Sequence, residues 1–337
     1  MKILFLLKKH NNYGKHSYDI VRSGLLNSAT ITAKELSEHY HIETLVKVIS
    51  DSNSIDKEVF NYKPNVCILE AIWFTDAKLL KLTQLHPKVK FVVRIHSEIP
   101  FLANEGDAIE KIRSYLPICR VFVSFNSHET YNDFRLCFPE YSDKILFLPN
   151  IYESELGEYI EKEHHHDTVN IACFGAIRPM KNQLIQAMAA ITYAKSHRKK
   201  LHFHVNASRL EQGGESVYKN ITALFKDEPG CELIQHKWLH RKEFLELISR
   251  MDAGMQVSLT ESFNIVAADF VLVGVPIVVS IDIEWMPEWS KVYPCNMEQI
   301  LAKIEDMIRY PHSFVNSAKH HLKSYNHHSI KEWKILI

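Results

Sequence analysis

The chain has 337 residues, more than one ordinary hydrophobic core accommodates, so two domains are the default expectation. Hydrophobic residues make up 46% and charged residues 24%, and 40 basic side chains balance 40 acidic ones, which excludes a disordered chain and argues against a dominant electropositive face. The longest apolar stretch, Phe263 to Ile281, is interrupted by Asn264, Asp269 and Pro276, which excludes a membrane-spanning helix.

In chain order, Lys2 to Leu7 reads as a buried first strand. Lys8, Lys9 and His10 follow it at once without a small-residue cleavage site, unlike a secretion signal, so a cytoplasmic protein is expected. Gly14 then sits in a polar loop with Asn11, Asn12 and Tyr13, where glycine either lets backbone approach a phosphate or acceptor closely or simply turns a corner. Helix patterns cover Thr32 to His39, Ala77 to Leu85, Gly106 to Tyr115 and His128 to Leu136, between strand patterns. A strand starting near Asn65 ends at Glu70 to Trp73, and another runs from Lys88 to His96 and Ser97. Ligands gather at the carboxyl ends of strands in open α/β sheets, which makes Glu70, Trp73 and His96 candidates, although a histidine or an aromatic there also serves packing alone. Arg94 and Glu98 read as balancing each other's charge. The strand Ile145 to Phe147 leads into Leu148-Pro149-Asn150.

A polar linker follows, with His164, His165 and His166 inside it. Adjacent residues do not converge on one metal without special geometry, so the run reads as solvated. The six cysteines contain no Cys-x-x-Cys, and Cys67 and Cys173 fall in apolar strands as small hydrophobes, so neither a disulfide framework nor a zinc site is expected. From Asn170 the pattern is a buried strand, a turn at Gly175, a basic loop with Arg178 and Lys181, and a helix from Leu184 to Ala194. Two cations near a helix amino terminus oppose the helix dipole, and a bound diphosphate would reverse that sign; a solvated basic loop is the plainer alternative. Further strands are expected near 170–174, 201–206, 231–235, 255–259 and 276–280. After the strand Met255 to Leu259 come Thr260 and Glu261, then a helix from Asn264 to Val273 that stops at Gly274-Val275-Pro276. The N–H groups around Ser262, Phe263, Asn264 and Ile265 suit a phosphate, and Glu261 beside them suits hydroxyls. Asp269 lies eight residues on, about 12 Å of helical rise and nearly the same face, though both acids also fit an α/β turn in which they merely cap a helix. Trp285 and Trp289 follow the last strand, and Met297 to Ile337 reads as two helices broken near Pro311.

The spacing of Glu261 and Asp269 resembles the Glu, seven residues, Glu motif of retaining glycosyltransferases with the two-domain GT-B fold, especially glycosyltransferase family four. Asp269 stands where that family usually has Glu, one methylene shorter. The loop carrying Arg178 and Lys181-Asn182 resembles the family's Gly-Arg…Lys-Asn diphosphate segment, with a shorter gap between its cations. His96 is similar to the family's histidine beside the donor sugar, Pro149-Asn150 to its Pro-Asn at the exit of the first domain, and Gly14 to its first glycine. These features occur in the family's order across most of the chain.

The resemblance implies an α/β protein of two Rossmann-like doubly wound domains facing across a cleft: residues 1–152, a linker 153–168, a nucleotide-sugar-binding domain 169–310, and a helical segment 311–337 crossing back to the first. It implies transfer of a hexosyl or pentosyl group from a nucleotide-sugar to an acceptor hydroxyl, with retention, with no metal and no cofactor. His96, Arg178, Lys181 and Glu261 would be catalytic, and Gly14, Ser262, Phe263, Asn264, Ile265 and Asp269 would hold the donor, with Glu70 and Trp73 on the acceptor side. Three alternatives stay open: a hydroxymethylated DNA base as acceptor, a nucleotide-sugar epimerase, and a GT-B scaffold that binds without turnover.

Overall fold

A computed structural model describes residues 1–9, 24–153 and 167–337. The chain divides into two compact units, Met1–Glu153 with Asn326–Ile337, and Ser154–Tyr325. The first contains β1 (Lys2–Lys8), α1 (Gly24–Tyr40), β2 (Glu43–Ile49), α2 (Ser54–Tyr62), β3 (Val66–Glu70), α3 (Asp76–Leu85), β4 (Lys90–Ile95), α4 (Ile99–Leu102), α5 (Ala108–Tyr115), β5 (Val121–Phe125), α6 (His128–Cys137) and β6 (Ile145–Phe147). Its six strands form one parallel sheet in the order β2-β1-β3-β4-β5-β6. Such strands are covered by helices on both faces and so read as continuous apolar runs. In β1, alternate residues feed two cores, Leu4 and Leu6 on one face and Ile3, Phe5 and Leu7 on the other.

The second unit holds β7 (Thr168–Cys173), α7 (Gln183–Ser196), β8 (Lys200–Asn206), α8 (Gly214–Phe225), β9 (Cys231–His236), α9 (Arg241–Ile248), β10 (Ala253–Gln256), α10 (Ile265–Leu272), β11 (Ile277–Ser280), β12 (Lys291–Val292), α11 (Met297–Arg309) and the start of α12 (Pro311–Glu332). Its sheet is also six-stranded and parallel, ordered β12-β11-β10-β7-β8-β9. The order reverses between β7 and β10. A reversal of strand order of this kind is where doubly wound sheets bind ligands, beyond the carboxyl ends of the two neighbouring strands.

The last residues of α12 and the turn after it belong to the first unit. Asn326 exchanges two 3.0 Å hydrogen bonds with the backbone of Tyr152, and the buried Trp333 donates its indole N–H to Pro149 O at 2.9 Å. Helices α2, α8 and α9 stand where the sequence pattern singles out no element. They run for only 9, 12 and 8 residues and bury two, three and one of them, so their apolar stripes are thin. Among the described residues no helix is long and apolar enough to cross a membrane. All six cysteines are free, and burial pushes the Cys67 and Cys173 thiols up, the latter to about 12.

Candidate active site

The crevice between β7 and β10 is built from two loops that grip each other. After β7 the chain turns at Gly175, whose φ of +114° is a backbone state that glycine adopts readily and whose N–H donates to Asn206 Oδ1 at 2.9 Å. Ile177 exchanges backbone hydrogen bonds with Arg209 and Glu211 at 2.9 and 3.0 Å. Gly214 at the start of α8 permits that approach, since a Cβ there would lie 2.0 Å from the Ile177 carbonyl oxygen. The basic loop then makes a single 3-10 turn, Pro179–Lys181, and Asn182 enters α7 in a left-handed conformation. Asn182 Nδ2 donates to Val257 O at 3.2 Å and Pro294 O at 2.7 Å, while Leu259 N donates to Met180 O at 2.9 Å. The loop after β10 is thereby laid along the basic loop.

This arrangement brings Lys181 onto Glu261, 80 positions away in sequence. The ammonium donates to Glu261 Oε2, which also accepts from Asn264 Nδ2 at 3.0 Å and Ser258 Oγ at 3.3 Å. Among the described residues no donor meets Oε1. The two charged side chains are only 14% and 13% exposed. Burial pushes the Glu261 carboxyl up, but Lys181, Arg178 and the Ser258 hydroxyl together outweigh it, so the group lies below its ordinary range and is an acceptor at neutral pH. Arg178 faces Glu211 at 3.7 Å.

Asn264 organises the other side. Its φ of 56° is tolerated by asparagine better than by most residues, its Oδ1 caps α10 by accepting from Ala267 N at 2.9 Å, and its Nδ2 also reaches Gln256 Oε1 at 2.9 Å. Helix α10 therefore begins at Ile265, and the first half of the span from Glu261 to Asp269 is loop, so the continuous helical rise read from the sequence does not apply. Ser262 and Ile265 are half-buried at the helix entrance. Phe263 is only 2% exposed and packs between Trp285 and Tyr325, with Trp285 donating to its carbonyl at 2.6 Å, so it can offer a ligand its backbone and not its ring. Asp269 is buried and accepts from Arg241 Nη1 at 2.5 Å. Sequence reasoning missed Arg241, which opens a helix that the sequence pattern does not single out.

In the first unit, Glu70, Arg94, His96 and Asn150 form one cluster. The parallel register sets Glu70 directly beside Arg94, which is why Arg94 pairs with Glu70 at 3.3 Å, while Glu98 accepts from Thr130 Oγ1; the expected Arg94–Glu98 balance gives way to this arrangement. Arg94 also donates to Leu148 O at 3.1 Å and Asn150 Oδ1 at 2.6 Å, with Trp333 5.0 Å from its guanidinium. Glu70 Oε2 lies 2.5 Å from His96 Nε2. Both Glu70 and Arg94 are fully buried and His96 is 17% exposed, so Glu70 stands behind the histidine and acts on a ligand only through it. Burial raises the Glu70 carboxyl, yet Arg94 and His96 more than offset this and hold it below its ordinary range. Burial and Arg94 push His96 down against the opposing pull of Glu70. Trp73 is half-buried, with its indole N–H tied to Glu70 O at 2.8 Å. Gly14 and the His164 to His166 run lie outside the described residues.

No protein-family model matches the sequence, and neither does any curated protein. Solved structures do match. The apo structure of OtsA aligns with a TM-score of 0.68 over 99% of this chain and 98% of that one, at 10% identity. Anabaena Alr3699/HepE in complex with UDP-glucose aligns at 0.65 over 100% and 98%, with 13% identity. A trehalose-6-phosphate synthase, solved with bisubstrate glycomimetics to study glycosyltransfer with retention, aligns at 0.62 over 85% and 77%, with 12% identity. The chain has the GT-B fold. At these identities the likeness is one of fold, and the chemistry must be argued from the residues.

Proposed function

We propose that this chain is a glycosyltransferase that moves a sugar from a nucleotide-sugar to an acceptor hydroxyl, with retention and without a bound metal. The observation that carries the reading is the Lys181–Glu261 contact at the strand-order reversal of the second unit, because it unites the basic loop with the acid motif. A diphosphate entering there competes with Glu261 for Lys181 and meets the amino terminus of α10, whose first N–H groups lack intrahelical acceptors. Lys181 and Arg178 then stabilise the charge that grows on the departing nucleoside diphosphate, the part a divalent cation plays in other transferases. Glu261, relieved of its cation, accepts from a sugar hydroxyl. The resemblance to family four implies that His96, braced by Glu70, hydrogen-bonds a hydroxyl of a donor sugar. That the trehalose-6-phosphate synthase neighbour was studied for transfer with retention supports the stereochemistry.

Product analysis tests this. The protein is incubated with UDP-, GDP- and ADP-sugars, with and without pooled lipid, saccharide, protein and hydroxymethylated DNA acceptors, in chelator, and products are weighed by mass spectrometry. Transfer releases nucleoside diphosphate in step with glycosylated acceptor. A changed sugar still attached to its nucleotide would indicate epimerisation instead, and an unaltered donor throughout would leave only binding. Loss of all transfer in chelator, restored by a divalent ion, would overturn the metal-free mechanism.

A further inference from the structure

We propose that Arg241 is a donor-specificity residue: the Arg241–Asp269 ion pair, rather than Asp269 alone, receives the ribose of the nucleotide. The inference rests on the reading that a nucleoside diphosphate binds at Lys181 and the start of α10. Four residues of rise put Asp269 about 6 Å along α10 from Ile265, comparable to the separation between a nucleotide's phosphate and its ribose hydroxyls. Arg241 comes from a different loop, as the first residue of α9 beyond the carboxyl end of β9. The pair thus sits on the ligand-facing side of the sheet and joins two crossover helices.

Exposure decides which partner a ligand meets. The Asp269 side chain is 4% exposed and that of Arg241 is 21%, so the guanidinium is the outer member. Aspartate is also one methylene shorter than glutamate, and Arg241 Nη1 meets its Oδ1 at 2.5 Å. A carboxylate only accepts hydrogen bonds and a guanidinium only donates them. A ligand group that satisfies both must accept and donate, which a hydroxyl does and a C–H does not. Two neighbouring hydroxyls on one ring engage both members at once. The ion pair is already made in the protein alone, so no side chain has to be ordered when the nucleotide arrives. Arg241 at the amino terminus of α9 is opposed by the helix dipole, and both Asp269 and a hydroxyl oxygen relieve that opposition.

The test is titration calorimetry with UDP, GDP and ADP, followed by the 2′-deoxy form of whichever binds. The wild type is expected to bind the ribonucleotide about ten- to a hundredfold more tightly, the range for a lost hydrogen bond to a charged group. Arg241→Met should keep saturable binding while the ratio falls below about threefold, the remainder of that lost bond. Because the single variant leaves Asp269 buried without its cation, R241M/D269N is measured in parallel. It removes both charges and should show the same collapsed ratio. Equal binding of ribo and deoxy forms by the wild type, or an undiminished ratio in R241M whatever the double variant shows, overturns the proposal while leaving the glycosyltransferase reading in place. Failure of the wild type to bind any of the three diphosphates overturns both.

Discussion

Lys181→Ala separates the structural from the catalytic role of one charge. Removing one partner of a fully buried ion pair costs about 3–5 kcal/mol, and a surface pair contributes roughly 0–1. Lys181 and Glu261 lie between these limits at 14% and 13% exposed, and Ser258 and Asn264 still donate to the carboxylate after the lysine is gone. The expected loss is therefore about 2 kcal/mol, or about 4–8 °C in melting temperature for a unit of this size. Adding Glu261→Gln removes the stranded charge, so the double variant should recover most of that stability, with a coupling of about 1–2 kcal/mol in urea titrations of the four proteins. Turnover should behave differently. A lost transition-state charge contact costs about 10²–10³ in kcat, and the double variant should recover none of it. Stability effects that add to within about 0.5 kcal/mol would refute the pairing, and recovery of turnover in the double variant would refute the catalytic charge.

What the sequence made legible follows from how parallel sheets are covered. Val66 to Glu70 and Lys90 to Ile95 are buried on both faces, so their apolar runs mark strands and the residues after them mark a ligand edge. The basic loop and the acid motif were each visible as strand-to-helix junctions. Their meeting was not, because it depends on β7 and β10 being neighbours, and strand order is a property of the sheet and not of either segment. The same holds for Glu70 and Arg94, set side by side by register, which turns an acceptor-side candidate into a buried support for His96. Arg241 escaped notice for a further reason. Its helix buries one residue, so no apolar stripe announced it, and without the helix the arginine had no special position.

Two further outcomes test the buried charges. Arg94→Met should strand Glu70, which is fully buried, and cost about 3–5 kcal/mol in urea unfolding; a loss under about 1 kcal/mol would mean that Arg94 is not what holds this charge. The other concerns acid stability and a second buried cluster. His204 is 7% exposed, its Nδ1 lies 2.9 Å from His236 Nε2 and its Nε2 3.2 Å from Asn170 Oδ1, with His202 on the same strand face and Glu232 3.8 Å from His202. Burial, then His236 and His202, push His204 from 6.5 down to about 4. The unfolded chain therefore takes up this proton near pH 6.5 and the folded protein only near pH 4, so stability falls between those values, by at most about 3.5 kcal/mol at about 1.4 kcal/mol per pKa unit. Glu70 and Glu261 have the opposite history. Their carboxyls lie below the ordinary 4.5 in the folded protein, so the stability they contribute is present above that value and is lost only as pH falls through their lowered range. The interval from pH 6.5 to 4.5 thus isolates the histidines. His204→Asn should flatten the decline in urea midpoint across it, leaving the shares from His236 and His96, which burial also pushes down. A variant that loses as much stability as the wild type between pH 7 and pH 5 would show that the proton responsible is taken up elsewhere.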